Sequence, residues 1–340
     1  MDPITGLLLA VLAGIPNGIA WSLSSIFQRL PAAYFAGAGY IVASVVAFGW
    51  LILLEGTPAH VDPSYWLKMF LTAGLLAVAF ILATAAPRVA DLTLTRPMTP
   101  LTIVLMFVSG PLLVKLGEEV KWKTTNDWGD FGIAVVVTSF VLLLLVRSKL
   151  PDAPAEAKKS KSRGVGMMLV VVALYSITAY YDAILVDASS PAFYLATIFF
   201  VIGLMCLGLG ALDRRFFFLH LEKGREVYEH CWSWKNIRPC VFFGVLYASA
   251  TACHMVALKA TGHVNYVVAI KESLSAVDAA LVTWLLVHGT KKGWWWRRRD
   301  AEAEKVYVAK RNEAETLPRR VWAMLGIVAG TTILVVLGTT

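Results

Sequence analysis

Ten apolar windows follow one another along the chain, each near the ~20 residues that a helix needs to cross a bilayer. They fall at 5–27, 33–54, 66–87, 93–114, 130–146, 165–186, 191–212, 238–258, 263–287 and 320–339. Of the 340 residues 58% are hydrophobic and only 16% charged, with a mean hydropathy of +0.66. A water-soluble domain carries more charge and shorter apolar runs. The expectation is an all-α membrane protein with ten transmembrane helices. Gly6 to Phe27 lacks the basic leader and small-residue cleavage site of a signal peptide, and is read as the first span. The cysteines Cys206, Cys231, Cys240 and Cys253 show no metal or redox spacing.

The ninth window is the informative one. It carries Lys271 and Glu272 near its entry and Asp278 half-way along. A charge at that depth costs at least ~2.5–3.5 kcal/mol, so it faces protein or a wet cavity rather than lipid. Lys271, Ser275 and Asp278 stand at i, i+4 and i+7 on one face, with Glu272 to the side. A ladder that neutralises itself and only fixes packing is the plain alternative to a site.

Between the fifth and sixth windows, 148–164 is polar and rich in Pro, Ala and Lys, and reads as a solvent linker. It divides the chain into a first five-helix unit, 1–147, and a second, 165–340, with a charged insertion at 289–318. A shift of 160 lays Gly6–Pro31 on Gly166–Pro191 without a gap. Leu30-Pro31-Ala32-Ala33-Tyr34-Phe35 then faces Ser190-Pro191-Ala192-Phe193-Tyr194-Leu195, and Trp21-Ser22 faces Tyr181-Asp182. With a small gap Arg96 falls opposite Lys271, and with a larger one Gly132-Ile133 falls opposite Gly326-Ile327. Units with an odd number of spans enter the membrane in opposite senses, so the expectation is two inverted five-helix repeats with a site between them near the midplane.

Two five-span halves, Ala269-Ile-Lys-Glu-Ser-Leu-Ser275, and Leu116-Gly117-Glu118 followed by Trp128-Gly129 resemble the drug/metabolite transporter superfamily, EamA type. The likeness covers essentially the whole chain. The second half departs from the pattern: Gly289-Thr290-Lys291 replaces the Gly-Glu pair, and the charged insertion follows. The resemblance implies that Lys271 lines a central cavity.

Loops 1–2, 3–4, 5–6, 7–8 and 9–10 hold 24 of the 31 Lys and Arg residues. The positive-inside rule places them in the cytosol and both termini outside. The family resemblance implies cytosolic termini instead, and the charge count is followed here. The net charge of +8 is loop charge, with no nucleic-acid motif beside it.

Further candidates share helix faces or interrupt helices. Arg96-Pro-Met-Thr-Pro100 breaks the fourth span and frees carbonyls that can line a cavity, unless Arg88, Asp91 and Arg96 merely snorkel at the boundary. Gly14-Ile-Pro-Asn17-Gly18 reads either as a similar break or as a simple packing segment. Tyr175, Thr178 and Asp182 share a face, with Tyr181 adjacent, and so do Tyr247, Thr251 and His254. Trp21 and Tyr40 could stack on a solute or simply pack. Gly326-Ile-Val-Ala-Gly330 is a small-residue stripe that suits either packing of the fifth and tenth spans or a homodimer contact. Lys291-Lys-Gly-Trp-Trp-Trp-Arg-Arg-Arg299 combines an interfacial aromatic belt with cations that could collect anionic headgroups.

No P-loop, dinucleotide fingerprint, HExxH or CxxC is present, so neither an enzyme nor a cofactor is expected. The expected function is a secondary transporter of a small polar or anionic metabolite in the cell (inner) membrane. Substrate contacts would come from Lys271, Glu272, Ser275, Asp278, Arg96, Tyr175, Tyr181, Asp182, Trp21, Asn17, Tyr247 and His254. A lipid flippase on the same scaffold and a non-transport assembly subunit are the alternatives.

Overall fold

A computed structural model describes residues 3–27, 30–56, 61–115, 128–147, 155–216, 233–291, 317, 320–333 and 335. Among them there are helices and no strands. The helices are α1 (Pro3–Ile26), α2 (Ala32–Trp50, continued by a π turn Leu51–Glu55), α3 (Pro63–Val89), α4 (Leu92–Thr95), α5 (Leu101–Lys115), α6 (Trp128–Arg147), α7 (Ala155–Asp187), α8 (Pro191–Phe216), α9 (Trp234–Thr261), α10 (Val264–Lys291) and α11 (Arg320–Ile333). Among the described residues six helices are long and apolar enough to cross a membrane: those at Thr5–Ser24, Ala32–Glu55, Pro63–Val89, Lys159–Asp187, Pro191–Leu212 and Asn236–Thr261. Shorter apolar helices lie at Leu92–Phe107, Phe131–Leu145 and Arg320–Ile333. This is the build of an integral membrane protein.

Local chemistry sets the ends. Asp62 caps α3, its carboxylate accepting from Ser64 N at 2.7 Å, with Pro63 at the first helical position. At the end of α9, Gly262 takes φ +65°, and its N–H bonds to Leu258 O. Leu8, Leu12 and Ile15 of α1 point outward while Ala10, Ala13 and Asn17 are buried, so one helix serves lipid on one side and protein on the other.

The close approaches fix the directions of the helices. Gly6 lies against Thr261 and Ala260 at the end of α9, whereas Trp21 meets Phe243 and Tyr247, so α1 and α9 are antiparallel. Gly14 lies on Leu274 and Gly18 on Asp278, so α1 and α10 are parallel. In α2 and α8, Gly37 meets Leu207, Gly203 meets Ile41, and Ser44 Oγ donates to Ala196 O at 2.9 Å, again antiparallel. Gly164 meets Ala90, and Phe80 meets Tyr175, making α3 and α7 antiparallel. Pairs Trp66–Phe193 and Gly74–Met205 run α3 and α8 together, and Gly39–Phe243 with Tyr40–Tyr247 run α2 and α9 together. Hence α1, α3, α8 and α10 run from the entry end, where α1 begins, to the far end, and α2, α7 and α9 run back.

One sequence expectation changes here and two become more specific. The break at Gly14–Gly18 is absent: α1 passes through Pro16, which removes a single backbone donor that packing against α9 and α10 offsets. Helix α7 starts at Ala155, so the later part of 148–164 is helical; 148–154 lie outside the described residues. The glycine stripe of α11 packs within the chain, Gly326 on Phe140 and Gly330 on Val136 of α6. A Cβ at Gly326 would sit 2.2 Å from the Phe140 ring, which can swing aside. Gly326→Ala is therefore expected to cost about 1 kcal/mol, read as a lower melting temperature of the detergent-purified protein.

By contrast the fourth window is broken as expected. After α4 the chain takes a 3-10 turn, Arg96–Met98, and the bonds Thr99 N→Arg96 O, Thr102 N→Thr99 O and Ile103 N→Pro100 O keep the tighter spacing into α5. Pro97 and Pro100, three residues apart, withdraw two donors from one turn, more than an α-helix can absorb.

Candidate functional site

A cavity lies in the entry half of the bundle, ringed by α1, α3, the α4–α5 break, α7, α8, α9 and α10. The room it holds in this conformation is about 70 Å³, that of a few water molecules and below the range of small-molecule sites, so a solute would need the walls to move apart.

Its polar wall comes from four places. Lys271 and Glu272, in the second turn of α10, pair at 3.3 Å (Nζ to Oε1). Asp182 on α7 accepts a hydrogen bond from the Tyr194 hydroxyl on α8. Arg96, 2% exposed, comes in from the 3-10 turn and lays its guanidinium over the Trp21 ring at 5.2 Å from the centroid. Asn17, Thr102, Thr178, Thr251 and His254 fill the remaining polar positions. The His254 Nδ1 is buried and finds no hydrogen-bond partner among the described residues.

The opposite wall is aromatic. Trp21 meets Phe80 at 5.5 Å and Tyr247 at 5.7 Å, Phe80 meets Tyr175 at 5.7 Å, and Phe199 meets Tyr247 at 5.7 Å. Behind them Tyr40 stacks on Phe80 at 4.5 Å and Phe243 on Tyr247 at 5.5 Å. Rings packed this closely hold one another's rotamers, so the wall is preorganised. Two cations and two carboxylates line the cavity, and the set is formally neutral. It can grip a solute carrying both signs of charge, or a neutral polar one, against a flat apolar face.

Of the residues singled out from sequence, Asn17, Trp21, Arg96, Tyr175, Asp182, Tyr247, His254, Lys271 and Glu272 meet in this cavity. Glu272 faces it directly instead of standing to the side, because the α10 face toward the bundle is wider than one residue stripe. Trp21 is largely covered by its ring neighbours and by Arg96. Tyr181 is half-buried against the core and is not among the lining residues. Asp278 does not line the cavity either; it is pressed between α10 and α1 at Gly18. The Ser275 side chain, the Trp/Arg run within 292–299 and Gly117-Glu118 lie outside the described residues. Sequence reasoning missed Phe80, Phe199 and the Asp182 partner Tyr194. The Pro-Ala-x-Tyr pattern at 191–194 was a signal for Tyr194; an aromatic in an apolar helix gave none for the others. No cluster of three or more metal-ligating side chains exists among the described residues.

At the far end the bundle is tied by charge. Arg320, fully buried at the start of α11, donates to Asp91 Oδ2 at 2.7 Å and to Thr93 Oγ1 at 2.5 Å. Lys161 of α7 adds an ion pair to Asp91 at 3.2 Å, and Ser160 donates to Val89 O. Arg88 donates to Leu30 O at 2.6 Å, joining the end of α3 to the residues that follow α1. Asp91 sits between helices: burial raises its carboxyl, but Arg320 and Lys161 outweigh this and hold it below the ordinary value.

No family model matches the chain, and no curated protein does either. Among solved structures, one described only as a crystal structure of a protein superposes with a TM-score of 0.55. It covers 96% of each chain at 15% identity, a likeness of fold alone.

Proposed function

We propose that the chain is a secondary carrier of a small polar organic solute. It works by alternating access on ten spans arranged as two inverted five-helix units, 1–147 and 165–340, as in the EamA-type drug/metabolite transporters it resembles. The single observation that carries this reading is the neutral set of Arg96, Lys271, Asp182 and Glu272 around a cavity inside an otherwise apolar bundle. Buried charges are expensive in such a protein, and they are kept where a solute path needs them.

The helix directions support the inverted arrangement. The shift of 160 pairs α1 with α7 and α2 with α8, and each pair runs in opposite senses. Packing follows the same exchange: α1 on α9 is matched by α7 on α3, α1 on α10 by α7 on α5, and α2 on α9 by α8 on α3. With the termini outside, the tied far end is the cytosolic one, and the cavity belongs to the outward half. The balanced charge favours a zwitterionic or neutral polar solute over a net anion. The aromatic wall favours one with a flat apolar part.

The test is to find solutes that raise the melting temperature of the purified protein, then to measure their uptake into proteoliposomes. Lys271→Ala removes a charge-assisted contact worth about 1.5–3 kcal/mol, so solute affinity is expected to fall about tenfold or more. Unchanged uptake by Lys271→Ala would count against the assignment. Flipping of lipid in place of solute uptake would move the reading to a flippase.

A further inference from the structure

Asp278 is the buried carboxylate that the cavity leaves unused. It is 4% exposed, in mid-α10, and its Oδ2 has no hydrogen-bond partner among the described residues. The side chain lies flat on α1 at Gly18: a Cβ there would be 2.0 Å from Oδ2 and 2.3 Å from the Asp278 Cβ. A carboxylate facing a glycine Cα at membrane depth, its Oδ2 without a donor among the described residues, is a costly arrangement for the ionised form.

The ionisable groups around it are few. Helix α1 brings none between Pro3 and Ile26, and α4 none. Its own helix carries Lys271 and Glu272, already paired with each other, and His288 and Lys291 about three turns further on. Tyr175 and Asp182 of α7 and His254 of α9 line the cavity, Asp182 being held by Tyr194. Arg96 remains as the cation that acts on Asp278. It also lines the cavity, with its guanidinium over Trp21.

We propose that Asp278 is a proton-binding site, carrying a proton in this conformation and releasing it to cavity water as α1 and α10 move apart. The carboxylate left behind takes Arg96 as its counter-ion. That draws the guanidinium off Trp21 and changes the solute-facing wall, so proton and solute are coupled through one side chain. The proposal rests on the carrier reading, but protonation can be measured without transport.

The experiment is infrared difference spectroscopy of the full-length protein in lipid, titrated with pH. The expected result is a protonated carboxylic-acid C=O band at neutral pH that is lost in Asp278→Asn and kept in Asp182→Asn. Should Asp278→Asn not fold, Asp278→Glu serves: the band is expected to shift and not to vanish. No such band in the wild type, or one that neither variant alters, overturns the proposal. In proteoliposomes, uptake by Asp278→Asn is expected to lose its dependence on a pH gradient while solute exchange persists. Uptake as pH-dependent as the wild type's would also overturn it. A band that behaves as expected in a protein moving no solute would sink the carrier reading and leave the proton site standing.

Discussion

Asp91→Ala is expected to destabilise the protein by about 3–5 kcal/mol, the cost of leaving a buried guanidinium without its counter-ion. Arg320 is fully buried, and its Nε finds no partner among the described residues, so loss of Asp91 leaves it the Thr93 hydroxyl. Lys161 loses its partner as well. The melting temperature of the detergent-purified variant should fall sharply. A double variant, Asp91→Leu with Arg320→Leu, should recover most of the loss, since an apolar pair of similar volume removes both desolvation costs. A single variant as stable as the wild type would mean that Arg320 finds water or another acceptor.

The same pair sets a pH window. The folded Asp91 carboxyl lies below its ordinary value, so its contribution is complete above the unfolded value of about 3.9. It is lost as pH falls through the folded value. Melting temperatures of wild type and Asp91→Ala should therefore differ by a constant amount from about pH 5 to 8 and converge only in stronger acid.

Much of this was legible in the sequence, because lipid imposes a simple rule on composition. Apolar windows marked the helices, and the cost of intramembrane charge pointed Lys271 inward; it set Glu272 to the side and left Arg96 open between a cavity and the membrane boundary. Which inward surface each one meets was not legible. Lys271 and Asp278 share a face of α10, yet one borders the cavity and the other is shut against α1, because α1 offers Gly18 at that height. The two proline segments also read alike but behave differently. Pro16 stands alone in α1, whereas Pro97 and Pro100 act on one turn, and only the pair breaks the helix. The aromatic wall was silent for another reason: Phe80 and Phe199 are ordinary members of apolar helices, and only their convergence makes a surface.

That convergence depends on how closely α2 and α9 approach, and Gly244 sets the distance. A Cβ at Gly244 would meet the Gly39 carbonyl oxygen at 2.5 Å and the Val42 Cβ at 2.7 Å. Neither is the free end of a flexible side chain, so Gly244→Ala forces the two helices apart. The expected cost is about 3 kcal/mol, the upper part of the range for overpacked cores. Part of it falls on the site, because Phe243, the residue before Gly244, stacks on Tyr247 and packs on Trp21. Gly208 on α8 is the control, since nothing lies within 4 Å of a Cβ placed there. Gly208→Ala should leave stability unchanged or raise it by about 0.5–1 kcal/mol through helix propensity alone. A Gly244→Ala protein that melts with Gly208→Ala would show that α2 and α9 do not hold this spacing, and the aromatic wall would then need another cause.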